Sequence, residues 1–238
     1  MKKNIFISLL IIIAAIVAII FYLRPESLLK TEKLKIQDLK ISYQEKPLKV
    51  DVTYPAIDGL DDFNQKAKAI IEKEIADFKK NSLENDEAVK KIDPEAYAKY
   101  PREYELLISY KTGQINQNIV SIVFEEYNFE GGAHGATLFI PLNYDVQNKK
   151  EIKLADLFSG QDDYLKKISD FCIADLTKQM TASGAIDMTD IGWINEGAGP
   201  KEENYSIFLI NPKDIIFYFP QYQVAAYAAG DFQVTYPR

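Results

Sequence analysis

IVSIVFEEYNFEGGAHGATLFIPLNYD, residues 119–145, decides the fold class of this chain. Two runs rich in β-branched and aromatic residues, Ile119–Tyr127 and Thr137–Asp145, flank a glycine-rich segment that contains His134, the only histidine. Such runs around a short glycine-containing connection are typical of neighbouring antiparallel strands. The stretch therefore predicts an antiparallel sheet with a histidine in one of its loops.

Further strand patterns lie on both sides of this stretch. Apolar and polar residues alternate strictly over Leu48–Tyr54, which is typical of a half-buried strand. After the strand pattern at Tyr104–Tyr110, Thr112 and Gly113 predict a turn. Alternation also begins at Leu34 and continues to Tyr43. The other predicted strands are Tyr104–Tyr110, Ile152–Leu154, Tyr205–Ile210 and Ile215–Phe219.

Two segments between the strands have the apolar period of a helix. An apolar stripe predicts a helix of about five turns from Asp61, and a second stripe predicts another from Tyr164. Cys172 lies on the second stripe, and we expect it to be a core residue rather than a nucleophile. We expect 81–103 to be an exposed excursion and 181–204 a loop. The order of elements predicts an α+β fold: antiparallel sheets packed by two main helices.

The N-terminus predicts one transmembrane helix in front of this body. Residues 5–23 are 19 consecutive residues without a charge, close to the roughly 20 that a membrane-spanning helix needs. No small-residue cleavage site follows, so we interpret 1–23 as an uncleaved signal anchor; a cleaved signal is the alternative. Lys2 and Lys3 favour a cytoplasmic N-terminus, which predicts a single-pass protein of the cytoplasmic membrane with its body extracytoplasmic.

The charge of the chain limits its partners. Its net charge of −7 becomes −9 once Lys2 and Lys3 are set aside with residues 1–23. Nucleic acid requires a basic surface, so we expect no nucleic-acid partner. An acidic body instead attracts cationic partners.

The chain has few residues for metal or nucleophilic chemistry. One histidine and one cysteine exclude the HExxH motif, a three-histidine zinc site and a cysteine-rich zinc site within this chain. No GxSxG nucleophile motif is present. We therefore expect no metal, no cofactor and no enzymatic activity.

A glycosidase built on two carboxylates remains an alternative, because it needs no histidine. Glu125, Glu126, Glu130 and Asp145 are the candidates near the glycine-rich loop. Adjacent strand residues point to opposite faces, so Glu125 and Glu126 cannot serve one site without a bulge.

His134 has three possible roles. It holds its loop by hydrogen bonds to the backbone, it contacts a ligand or partner, or it binds a metal or takes part in catalysis. Glycines on both sides of it supply positive φ or close backbone approach. Binding residues concentrate on loops. The candidate ligand-binding residues are Glu130, Gly131, Gly132, His134 and Trp193.

Several motifs resemble known bacterial families. GGAHG at 131–135, NYD at 143–145, EIKLADLF at 151–158 and the segment 208–237 together resemble a domain family of unknown function. That family is seen in the extracytoplasmic part of the lysozyme-sensing anti-sigma factor RsiV. Residues 50–75 resemble the N-terminal domain of the peptidoglycan deacetylase PdaC. The predicted organisation is therefore an anchor at 1–23, a stalk at 24–33, a PdaC-like region at 34–148 and an RsiV-like region at 149–238, the last two forming one compact body.

The resemblance implies binding rather than chemistry. RsiV-like domains bind lysozyme without reaction, and the PdaC deacetylase activity belongs to a separate domain with several metal-binding histidines. The implied function is a membrane-anchored binding module of the cell envelope that recognises a cationic lysozyme-like protein or peptidoglycan. A carboxylate-dependent glycan hydrolase and a structural or assembly protein remain alternatives.

Overall fold

A six-stranded sheet in the order β1-β2-β3-β4-β5-β6 is the first layer of the computed structural model, which describes residues 34–184 and 191–238. Neighbouring strands are antiparallel except β2 and β3, which run parallel. A parallel pair requires a crossover connection, and a long helix, α1, provides it. The expectation of purely antiparallel pairing is wrong at this one pair. The strands are β1 Ile36–Glu45, β2 Leu48–Ile57, β3 Tyr104–Ile115, β4 Ile119–Phe129, β5 Ala136–Asp145 and β6 Lys150–Glu151.

Helix α1, Asp61–Ile92, covers one face of this sheet and is much longer than the predicted five turns. Its predicted apolar stripe is buried as far as Phe78, but Ser82 and Asp86 occupy the next buried positions. The Asp86 carboxylate accepts hydrogen bonds from the phenols of Tyr97 and Tyr104, at 2.8 and 3.3 Å. Because polar residues continue the buried stripe, the apolar pattern ends at Phe78, nearly four turns before the helix ends at Ile92. The segment 81–103, predicted as an exposed excursion, is mostly exposed, but its first half is the end of α1, and a short helix, α2, Pro94–Lys99, follows.

The turn predicted at Thr112 and Gly113 is a bulge inside β3 instead. The strand continues to Ile115, and the chain reverses just after it. A Cβ atom at Gly113 would lie 2.3 Å from the Ile210 carbonyl oxygen. This glycine therefore allows two backbone segments to touch, rather than making a turn.

The second layer consists of three antiparallel strands and one main helix. Helix α3, Tyr164–Ser183, buries a stripe that includes Cys172, which is 0% exposed, so the core prediction for this thiol is confirmed. A seven-residue helix, α4 at Ile191–Gly197, stands inside the predicted loop 181–204 and carries Trp193. So short a helix has no apolar stripe that periodicity can reveal. The strands are β7 Phe208–Ile210, β8 Asp214–Phe219 and β9 Phe232–Pro237.

Strand β7 joins the two layers, on the sheet face opposite α1. Ser121 donates a hydrogen bond to Asn143 Oδ1 at 2.5 Å and accepts one from the Ile210 N–H at 2.7 Å. Asn143 Nδ2 donates to the Phe208 carbonyl oxygen at 2.9 Å. Beside this buried polar network lies an apolar cluster that contains Val123, Phe139, Leu209 and Tyr218. Residues 34–238 form one compact unit.

The predicted anchor, 5–23, and the predicted stalk, 24–33, lie outside the described residues. Among the helices of 34–184 and 191–238, none is long and apolar enough to cross a membrane. The predicted boundary between residues 148 and 149 stays a prediction.

Candidate functional site

The loop between β4 and β5, residues 130–135, is fixed at its first half by α1. Asn85 Nδ2 donates to the Glu130 carbonyl oxygen at 2.6 Å, and Asn81 Nδ2 lies 3.3 Å from both Glu130 carboxylate oxygens. Gly131 and Gly132 have φ of +100° and +107°, a region that favours glycine. Of the predicted binding residues, Glu130 therefore attaches this loop to the helix, and Gly131 lies against Asn85 of the helix, where a Cβ atom would be 2.1 Å from Asn85 Nδ2. A Cβ atom at Gly132 would meet nothing within 4 Å.

His134, in the second half of the loop, contacts the C-terminal part of the chain. Its ring stacks on the Tyr227 ring, with centroids 3.8 Å apart and planes 22° apart. His134 Nδ1 lies 3.0 Å from the Gly135 carbonyl oxygen, which also accepts the Tyr227 hydroxyl proton at 2.9 Å. Because a carbonyl oxygen only accepts, Nδ1 carries the proton in this contact.

Trp193, on α4, lies near the stacked rings of His134 and Tyr227. Its indole Nε1–H donates to the Tyr222 carbonyl oxygen at 3.0 Å, and the Tyr222 ring lies 5.7 Å from the Tyr227 ring. Tyr222 has φ of +70°, a strained conformation for a residue with a bulky side chain. Such strain concentrates at functional sites.

Tyr127 borders the cluster from β4. A Cβ atom at Gly135 would lie 2.5 Å from the Tyr127 ring, so this glycine allows the ring to pack on the loop backbone. Tyr222 is 57% exposed, while Trp193 and Tyr127 are each 36% exposed. We call the surface formed by Tyr127, His134, Trp193, Tyr222 and Tyr227 the aromatic platform.

The platform brings together two of the predicted site residues, His134 and Trp193, which are far apart in sequence. It does not include Glu130, Gly131 or Gly132. Sequence reasoning missed Tyr222 and Tyr227 as site residues. The available signal was a pair of tyrosines after Pro220, where the strand pattern breaks.

Two of the carboxylates proposed for a glycosidase, Glu126 and Glu130, are close enough to interact electrostatically, but burial of Glu126 keeps it away from a substrate. Glu125 and Glu126 point to opposite faces, as predicted: Glu125 pairs with Lys111 at 3.1 Å, and Glu126 is 2% exposed. Asp145 stands at the far end of β5, where hydrogen bonds from Asn148 lower its pKa. No group of His, Cys, Asp and Glu that could hold a metal ion occurs in the described part of the chain.

The platform instead presents ring faces. Aromatic faces stack on other rings and bind cations, and tyrosine and tryptophan are enriched where proteins bind partners. The arrangement is therefore suited to recognition.

Two family models match separate parts of the chain. Residues 41–137 match the family described as deacetylase PdaC, and residues 155–238 match the family described as protein of unknown function (DUF3298). Tyr127 and His134 belong to the first segment, while Trp193, Tyr222 and Tyr227 belong to the second.

The curated relatives are longer than the matched region. The chain is 33% identical over 184 residues to the peptidoglycan-N-acetylmuramic acid deacetylase PdaC of Bacillus subtilis (strain 168). The aligned region is 77% of this chain but 36% of that protein. It is 27% identical over 143 residues to the immunogenic protein MPT64 of Mycobacterium tuberculosis, covering 58% of this chain and 59% of the relative. The chain thus spans about a third of the length of PdaC and about three fifths of that of MPT64.

Two solved structures share the fold. A DUF3298 family member from Bacteroides fragilis aligns with a TM-score of 0.59 at 19% identity, covering 87% of this chain and 91% of that one. A DUF3298 family protein from Pseudomonas aeruginosa PAO1 aligns with a TM-score of 0.55 at 13% identity, covering 87% and 92%. The chain therefore combines a PdaC-like segment and a DUF3298-like segment in a mixed α+β fold that DUF3298 proteins share.

Proposed function

We propose that this chain is a non-catalytic binding module of the bacterial cell envelope, and that the aromatic platform binds cell-wall glycan. The proposal rests on one observation: aromatic side chains from three separate parts of the chain form one surface and keep much of their area exposed. Exposed apolar surface of this kind marks interaction sites. The name of the PdaC relative gives peptidoglycan as the substrate of that protein, which supports a cell-wall ligand here.

A cationic lysozyme-like protein is the second candidate ligand. The net charge of −7 favours it, because complementary charge accelerates association. The resemblance to the RsiV family supports the same partner. Both candidates fit an extracytoplasmic body anchored by residues 5–23, and this placement predicts that carbonate washing leaves the full-length protein in the membrane fraction.

Sedimentation with purified peptidoglycan sacculi tests the first candidate. We expect Trp193→Ala and Tyr222→Ala each to weaken binding roughly tenfold or more, as loss of a central aromatic contact does. Tyr100→Ala is the matched control, because Tyr100 is 68% exposed but lies at the end of α2, outside the platform. Equal losses in all three variants would contradict a role for the platform.

Titration with a basic lysozyme at low and high salt tests the second candidate. Binding that weakens steeply with salt, without binding to sacculi, would replace glycan by a cationic protein as the ligand. Failure to bind either probe would refute the proposed function. Release of soluble sugar from sacculi by the wild-type protein would refute the non-catalytic role and favour the hydrolase alternative.

A further inference from the structure

Glu126 is a buried carboxyl group with an incomplete set of partners. It lies on the face of β4 that packs against α1, and its side chain is 2% exposed. Oε1 accepts a hydrogen bond from Asn128 Nδ2 at 2.9 Å, but Oε2 has no partner within the described residues. Burying an ionised carboxylate costs much more than burying a neutral one, so this site favours the protonated form.

The charged groups around Glu126 reinforce this preference. Burial first, then Glu74 on α1 and Glu130 in the loop, act to raise its pKa, which rises from 4.5 to about 7. Asn128 and Lys73 act in the opposite direction, but Lys73 already pairs with Glu74 at 3.1 Å and with Asp77 at 2.8 Å. The cross-strand neighbours on β3 and β5 add no charge, because they are Ile108 and Leu138.

The same helix holds the loop that contributes His134 to the platform. Glu126 is four residues before Glu130, which Asn81 and Asn85 of α1 bind. Any movement of α1 away from the sheet over Glu126 therefore acts directly on the attachment of loop 130–135.

We propose that Glu126 is a pH-sensitive switch. Its neutral carboxyl group keeps α1 packed against the sheet and loop 130–135 attached to α1, and its ionisation weakens both contacts. The direction follows from the raised pKa of this carboxyl. Its stabilising contribution is complete below 4.5, the ordinary pKa, and is lost as pH rises through about 7. The switch goes beyond the proposed function and does not depend on which ligand the platform binds.

Hydrogen exchange of the full-length protein at pH 5.5 and pH 8.5 tests the switch without a ligand. After correction for intrinsic exchange rates, we expect protection of amides in 78–85 and 130–135 to fall on the order of 30-fold at the higher pH. In Glu126→Gln, protection should be nearly the same at both pH values. A wild-type protein without the pH response, or a variant that keeps it, would overturn the proposal.

Three further variants test whether Glu126, and no neighbouring group, carries the pH response. Glu125→Gln changes the adjacent carboxyl on the opposite face and should behave like the wild type. His134→Gln removes the single histidine of the chain, which lies in this loop, and loss of the response in that variant would overturn the role of Glu126. Asn85→Ala should release the loop at pH 5.5 while 78–84 keeps its response. If loop protection in Asn85→Ala is unchanged, the proposed link between α1 and the loop is wrong.

Discussion

At the scale of single residues, Cys172 shows how burial determines reactivity. The thiol belongs to the buried stripe of α3 and is completely buried in the core, and this burial raises its pKa far above the ordinary value. The thiolate is the reactive form, so both access and ionisation disfavour reaction.

We therefore expect a thiol reagent at pH 8 to leave the native protein unmodified and to modify one thiol per chain in denaturant. The single cysteine makes the measurement unambiguous. Complete modification of the native protein within minutes would show that α3 opens readily or that the thiol is accessible.

At the scale of elements, the contact between β7 and the six-stranded sheet depends on buried polar groups. Ser121→Ala would leave the Asn143 Oδ1 atom and the Ile210 N–H without their partner. We expect the free energy of unfolding to fall by roughly 1–3 kcal/mol, the cost of buried unsatisfied groups, in urea denaturation.

Ser109→Ala is the control for this prediction, because Ser109 is an exposed serine on the same sheet. A similar loss of stability in both variants would mean that the network contributes nothing beyond strand propensity.

Some helices and strands could be predicted from local sequence patterns, and others could not. Alternation in β2 and apolar stripes in α1 and α3 are local patterns, so they predicted the α+β class. The second half of α1 was not predicted as helix because Ser82 and Asp86 fill its buried positions with polar groups.

The platform was only half predictable for a related reason. His134 and Trp193 stood out as the only residues of their kind. The stacking of His134 on Tyr227 and the left-handed backbone of Tyr222 are tertiary features, which no local pattern encodes.

At the scale of the whole molecule, residues 34–238 form one compact unit whose two sheets share part of its interior. Val123 and Phe139 from the first sheet pack against Leu209 and Tyr218 from the second. We expect the 34–238 protein to unfold in one cooperative transition, monitored by the fluorescence of Trp193 and by circular dichroism.

Produced separately, residues 34–148 and 149–238 should each lack a cooperative transition, because separation exposes this cluster and the Ser121–Asn143 network. A sharp transition in either half would show that the shared interior is dispensable.

The distribution of the platform over two matched segments has a consequence for inheritance. Tyr127 and His134 come from 41–137, and their ring partners come from 155–238. Recombination within the stretch that links these segments would leave each descendant with half of the surface. Lineages that keep the surface must transmit both segments as a pair, and a descendant that exchanges one of them for a related segment should retain its fold while evolving a different recognition surface.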